Sequence, residues 1–395
     1  MADQLLTPSI ITNETLAMLE NNLVMGGMVN RQFENQFKGI GATITVRKPN
    51  RFVLTRGPGL QIQDVIEPST SITISNQLQV AFKFSLQDLT LIIREFSERY
   101  LKPAAAVIAN GVDTDVMALV PQIYNQVGAA GTIPNNYSYL TQVGQRMDEG
   151  AVPQDGRKLV LGPAAYWSMD NALIGLYVKS VSEPALKGFL ANLANFEIYQ
   201  DQNATFQTTG AYAGTGVVNG AGQTGGTLVT NGWTASTAAL FQVGDVITLD
   251  GVYAINPQSR VSTQALMNFV INAVAASDSG GNSTISFSPA IVTTGAYQNV
   301  SNAPANLTRV RLANSAAAST TYAQSIGFVK DCFGLVTVPL ELPDGVDFKA
   351  REMYKGLSLR IIRAYDINND QMPCRLDLLE GVAAFYPELG ARLTS

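Results

Sequence analysis

The chain has 395 residues, more than one core of the usual ~100–150 residues accommodates, so two or three structural units are expected. Only 14% of residues are charged, against about 25% in ordinary globular proteins, while 46% are hydrophobic. That balance calls for an unusually large core or a surface covered by partners, and the richness in Gly, Asn, Gln and Thr favours partners; the net charge of −5 excludes a protein that grips nucleic acid over its whole surface.

The segment from Met1 to Leu6 lacks the basic n-region and continuous apolar h-region of a signal peptide, and no uninterrupted apolar run approaches the ~18–20 residues that cross a bilayer. In residues 9–25, Leu16, Leu19, Leu23 and Val24 recur at helical spacing with Thr12 or Asn13 available to cap. This reads as a short amphipathic helix in an N-terminal arm, residues 1–40, with little core of its own. From Ala42 the period becomes two: Ile44 and Val46 alternate with Thr and Arg, and later Leu78, Val80, Phe82 and Phe84 alternate with polar or small residues. The two strands and their polar connection form an extended β-hairpin loop over 41–84. A two-stranded hairpin is marginal in water alone, so contact with a neighbouring subunit is expected. Arg47, Lys48, Arg51, Arg56 and Glu67 are the candidate contacts, flanking the turn string Gly57-Pro58-Gly59. Pairing of the basic residues with an acidic neighbour is expected in preference to nucleic acid, because no aromatic stacking series accompanies them.

Ser85-Leu86-Gln87-Asp88 opens a helical pattern carrying Leu89, Ile92, Ile93, Phe96 and Tyr100. Beyond Pro103 the stripe continues through Ile108, Val112, Val116, Leu119 and Ile123, giving one long helix over 85–123, bent or restarted at the proline. The stripe reads as core, and Asp113 and Asp115 as a solvated helical face. This helix anchors a peripheral domain, 85–130, completed by 345–395.

Residues 131–214 read as an α/β domain completed by 313–344, with a helix carrying Tyr139, Leu140, Val143 and Met147, a buried strand at 158–162, and a second helix opened by Pro163. Composition then turns to Gly, Ala, Thr and Asn between Gly210 and Gly232, which reads as a flexible join. Short strand-like runs at 245–249, 267–274 and 284–287, separated by turn signals, indicate an inserted all-β, barrel-like domain over 215–312. Strand patterns at 356–362 and 376–385 end the chain.

Chemistry is limited by a missing residue. There is no histidine, which excludes Ser-His-Asp and Cys-His nucleophiles, His-ligated zinc and histidine acid–base work. Cys332 and Cys374 make neither a disulfide framework nor a CxxC signature and read as two small buried or half-buried thiols. Asp366, Asn368, Asp370 and Asp377 fall at positions 1, 3, 5 and 12 of a calcium-loop pattern, but Gln371 stands where that loop needs glycine, so a turn between strands is expected. The Gly-rich stretch 210–226 contains no lysine and no phosphate-loop motif. No cofactor is expected.

The C-terminal run GFVKDCFGLVTVPLELP at 327–343, with GLSLR at 356–360, Tyr365-Asp366, Arg375-Leu376-Asp377 and Gly381-Val382, resembles the major capsid (coat) proteins of short-tailed bacteriophages. The resemblance implies an α+β, Hong Kong 97-like tailed-phage capsid fold: N-terminal arm, extended β-hairpin loop, long spine helix, axial α/β domain and, in some members, an inserted all-β domain. It implies self-assembly into an icosahedral shell around double-stranded DNA, with the hairpin overlapping an adjacent subunit and the axial domain lining five-fold and six-fold centres. The partners it implies are other copies in pentamers and hexamers, a scaffolding protein, a portal protein and packaged DNA by weak nonspecific contact, with no membrane. The location implied is the virion capsid, assembled in the bacterial host cytoplasm. Two alternatives remain open: a tail or decoration protein, which would be expected to show repeats, and a carboxylate-dependent hydrolase using acids such as Asp148, Glu149 and Asp155, for which no paired-acid motif is present.

Overall fold

The computed structural model describes residues 8–33, 43–85, 100–173, 193–313, 315–346, 348–354, 357–369 and 371–395. The fold is mixed α+β. The chain divides into two compact units, one made of Met1–Arg47, Ser69–Met117 and Phe333–Phe385, the other of Lys48–Pro68, Ala118–Cys332 and Tyr386–Ser395.

The first unit is built on a sheet of β15 (Phe333–Val338), β16 (Phe348–Tyr354), β17 (Leu357–Arg363) and β18 (Gln371–Ala384), ordered β15-β18-β17-β16. All six residues of β15 are buried, as its unbroken apolar run requires. Strand β3 (Asn76–Ser85) pairs antiparallel with β18 from Ser85 opposite Gln371 to Asn76 opposite Glu380. Helices α1 (Pro8–Asn22) and α3 (Lys102–Met117) pack in this unit, joined by the short α2 (Met25–Met28). On α3 the residues Ala105, Ile108, Ala109, Val112 and Val116 recur every three or four positions and are all buried. Gly111 permits close approach to β3, since a Cβ there would lie 3.2 Å from a Leu78 methyl. The stretch Lys102–Gln122 is apolar and long enough to cross a membrane by composition, with mean hydropathy 1.3, but more than half of it is buried within the protein. The N-terminal half of the expected long helix, including Leu89, Ile92, Ile93 and Phe96, lies outside the described residues.

Two expectations for this unit need correction. Strand β1 (Thr43–Arg47) pairs with β2 (Ser69–Thr73), in register from Thr43 opposite Thr73 to Arg47 opposite Ser69, and not with the strand over 78–84. That later strand is taken by β18, whose length offers ten consecutive partners. The N-terminal helix starts at Pro8, so Thr12 and Asn13 are interior and cap nothing; Ile11, Thr12, Thr15, Leu16 and Leu19 are buried, and the helix packs on α3, β16 and β17. This part of the arm is therefore core.

The second unit holds a sheet ordered β4-β19-β14-β5-β6, from β4 (Gln126–Val127), β5 (Arg157–Leu161), β6 (Glu197–Gln200), β14 (Thr321–Val329) and β19 (Gly390–Thr394), with β7 (Phe206–Thr208) on β14. Helix α4 (Tyr137–Glu149) is capped by Asn136, whose side chain accepts from Ser138 N, and buries Leu140, Val143 and Met147 against Leu159, Phe196 and Leu393. Helix α5 (Pro163–Leu173) adds Tyr166 and Met169 to that core.

Strands β8 (Gly214–Val218), β9 (Gly225–Trp233), β10 (Val246–Ile255), β11 (Ser262–Ile271), β12 (Ser283–Ile291) and β13 (Val310–Leu312) form a second sheet in the order β13-β10-β11-β12-β9-β8. Its ends meet. Val217 bridges Arg309, Val218 N donates to Thr308 O at 2.8 Å, and Leu307 N donates to Val218 O at 2.9 Å, so the sheet closes as a small barrel. Trp233, Phe241, Phe269 and Phe287 fill it. The Gly-rich stretch read as a flexible join supplies two of these strands. Gly216 lies flat against the Trp233 indole, where a Cβ would come within 1.9 Å of the ring, so glycine here serves close packing.

The barrel is fastened to the rest of its unit by polar side chains. Arg146 on α4 donates to Leu266 O at 2.7 Å and Asn268 Oδ1 at 3.0 Å. Buried Arg392 on β19 donates to Gly244 O at 3.0 Å, and Asp245 accepts from Gly210 N, Gln242 N and Gln207 Nε2. Burial holds the Asp245 carboxyl above the usual range and pulls Arg392 down to about 10.

Candidate functional site

The segment between β1 and β2 carries the surface best suited to a partner. No strand or helix is formed from 48 to 67, and the loop is closed at its base by Lys48 N donating to Pro68 O at 2.8 Å. Further out, the Gln63 side chain clasps Val53 on both backbone groups, accepting from Val53 N at 2.8 Å and donating to Val53 O at 2.5 Å. The Gly57-Pro58-Gly59 string turns the chain, with Gly57 at φ +133°.

The loop is apolar where it is most exposed. Leu54, Leu60 and Ile62 are 81%, 88% and 86% exposed, and Phe52, Val65 and Ile66 more than half exposed. Isolated apolar side chains are normal on a surface, but six within fifteen residues of one loop make a candidate binding face. The charged residues singled out from sequence behave differently. Arg51 pairs with Glu388 at 3.5 Å and lies 5.9 Å from the Tyr297 ring, and Lys48 lies 5.0 Å over the Tyr386 ring. Tyr297 OH in turn donates to Ile66 O at 2.9 Å. Lys48 and Arg51 thus help to hold the loop within its own unit. Arg47, Arg56 and Glu67 are exposed along β1 and the loop. Sequence charge alone does not reveal the exposed apolar set. The signal was present, as apolar residues of no helical or strand period around a Gly-Pro-Gly string.

Other candidates resolve into structure. Asp366 accepts from Asn368 N at 3.0 Å and Asn369 Nδ2 at 2.7 Å, which keeps its carboxyl below the usual range, and it bridges Gln371: a turn between β17 and β18. Asp377 is instead buried in β18, bound by Arg360 at 2.7 Å and Arg375 at 2.6 Å. Among the described residues no group of three His, Cys, Asp or Glu is placed to hold a metal ion. Of the acids weighed for hydrolysis, Asp148 pairs with Arg157 at 2.6 Å and Glu149 with Arg146 at 3.1 Å, so both serve packing around α4. Cys332 and Cys374 are free and buried; burial pushes the Cys374 thiol up to about 11 and raises the Cys332 thiol well above its ordinary value. Asp113, read as solvated, is 2% exposed and accepts from Val24 N at 2.9 Å and Gly26 N at 2.7 Å.

A sequence model described as P22 coat protein, gene protein 5, matches residues 2–395. The chain belongs to the P22 coat protein family. It is a major capsid protein of a tailed phage, a virion structural protein that assembles with copies of itself into a shell. No curated protein matches the coat protein. Among solved structures, a chain of Mycobacterium phage Che8 aligns with TM-score 0.49 at 10% identity, covering 94% of the coat protein and 90% of that chain. The capsid of Ralstonia phage GP4 aligns at 0.44 and 6% identity, covering 90% and 84%. A virus-like particle from Pyrococcus furiosus aligns at 0.42 and 8% identity, covering 97% of each chain.

Proposed function

We propose that the loop at 48–68 is the principal contact between subunits of the shell, seating its apolar side chains on an adjacent copy. The exposure of Leu54, Leu60 and Ile62 on one loop carries this reading. Burying a large aliphatic side chain is worth roughly 1.5–3 kcal/mol, so three such anchors repeated over every subunit hold a shell whose single contacts stay weak. Exposed Arg47, Arg56 and Glu67 add a polar rim that fixes register.

The remaining parts take the roles the family resemblance implies. The peripheral domain is Ser69–Met117 with Phe333–Phe385 and the packed helix α1, in place of 85–130 with 345–395; the axial domain at five-fold and six-fold centres is 118–214 with 313–332 and Tyr386–Ser395, in place of 131–214 with 313–344; and 215–312 acts as an inserted barrel. Assembly proceeds in the host cytoplasm into pentamers and hexamers on a scaffolding protein, around a portal protein, before DNA enters. The shell acts by assembly and not by catalysis, in keeping with Asp148 and Glu149 being held in ion pairs.

Single Leu60→Asp and Ile62→Asp variants of the full chain, expressed with the neighbouring viral genes, test the loop. Circular dichroism is expected to match the parent, while sedimentation and electron microscopy show subunits without shells. Normal shells from both variants would overturn the assignment.

A further inference from the structure

We propose that Glu380, Asp115 and Asp113 form a proton-operated latch holding helix α3 on the sheet of its unit, closed while Glu380 carries a proton and opened as that proton leaves. Glu380 lies in β18 with no exposed surface, and neither carboxyl oxygen has a donor in reach. The carboxyl it meets across the packing is Asp115 of α3: Asn76, directly opposite Glu380 in the ladder, donates to Asp115 Oδ2 at 3.2 Å, while Asp113 of the same helix turns toward α2. Two ionised carboxylates can only accept and repel each other, so Glu380 faces Asp115 favourably only while Glu380 carries a proton. Burial first, then Asp115, then Asp113, push the Glu380 carboxyl up to about 9.

Among the described residues, the elements packed around Glu380 supply it with no counter-charge. From α3 come Asp115 and Asp113, the latter held by the amides of Val24 and Gly26. Strand β3 presents Asn76, which donates to Asp115 at 3.2 Å, and Gln77, which donates to Asp377 at 3.3 Å. Strand β15 places Thr337 opposite Glu380, and the link from β2 to β3 contributes only the Ser75 amide, bound to the Glu380 carbonyl. On β18 itself Asp377 is already matched by Arg360 and Arg375. The latch therefore ties together the helix, the sheet and the segment entering α2.

The direction follows from where the proton binds. In the closed packing Glu380 keeps its proton up to about pH 9, whereas a hydrated glutamate loses it near its ordinary value of about 4.3. Opening thus releases a proton, and between those limits each pH unit favours the open form about tenfold. The stabilising effect is complete below the ordinary carboxyl range and is lost as pH rises toward 9.

Hydrogen exchange of peptides spanning 102–117 in the full chain, corrected for the intrinsic pH dependence of exchange, tests the latch. The parent is expected to show protection falling with pH between about 5 and 9, up to tenfold per unit. Glu380→Gln, which keeps the shape and can donate to Asp115, is expected to show flat protection. Independently, the parent at pH 7 should show a protonated-carboxyl infrared band that is missing from Glu380→Gln. A parent slope retained in the variant, or no such band in the parent, would overturn the proposal.

Discussion

Within the first unit the buried Asp377 is matched by two cations. Asp377 is fully buried and takes one oxygen to each of Arg360 and Arg375, and Arg360 also donates to Glu341 O. Removing the carboxylate leaves two guanidinium groups facing each other across an apolar strand. Asp377→Ala is accordingly expected to cost about 3–5 kcal/mol, read as a lower urea midpoint with unchanged slope. A loss below about 1 kcal/mol would mean that water screens the pair. At this scale the sequence was a partial guide. Missing histidine and the defective calcium pattern were legible because they are statements about residue type and spacing. The burial of Asp113 was not, because it depends on Gly26, 87 residues earlier in the chain, coming close enough to donate its amide; a Cβ on Gly26 would lie 3.0 Å from Leu23 and 3.3 Å from Asp113.

Elements were legible wherever one period persisted. Helix α4, strand β5 and helix α5 lie within a residue or two of the pattern of Leu140, Val143 and Met147, of the run at 158–162, and of Pro163. Pairing was not legible, because alternation states which face a strand buries and leaves its partner open. Both β2 and β3 could satisfy β1 by pattern; the ten-residue edge of β18 decided for β3. Glycine misled for a related reason, since composition does not distinguish a mobile join from a strand that another ring covers. Gly216→Ala tests this reading. Its methyl would overlap Trp233, so a loss of about 1–3 kcal/mol and a changed indole fluorescence are expected. An unchanged spectrum and stability would return the stretch to a loosely packed join.

At the scale of the molecule, the low charge content now has a location. Six exposed apolar side chains gather on one loop, while Lys48 and Arg51 stay with their own unit. Apolar seating and charge pairing respond oppositely to salt. Shells held by Leu54, Leu60 and Ile62 are expected to persist, by light scattering, from about 0.05 M to about 0.5 M salt, whereas contacts made by the loop arginines would weaken as the screening length shortens several-fold. Dissociation at high salt would move the assignment from the leucines to the charged residues first singled out.

By itself the sequence determined the class of protein: the P22 coat family match spans residues 2–395, and period changes along the chain already marked the helical stripe beyond Pro103 and strands of the barrel. Those properties are local, written in residue type and spacing. Tertiary structure alone decided which strand β3 joins, that the barrel closes between Val217 and Arg309, that Glu380 meets Asp115, and that the exposed face of the loop is apolar. Each of these is a contact between residues far apart in the chain, or the lack of one, and burial and partnership are set by what the rest of the fold brings to a side chain.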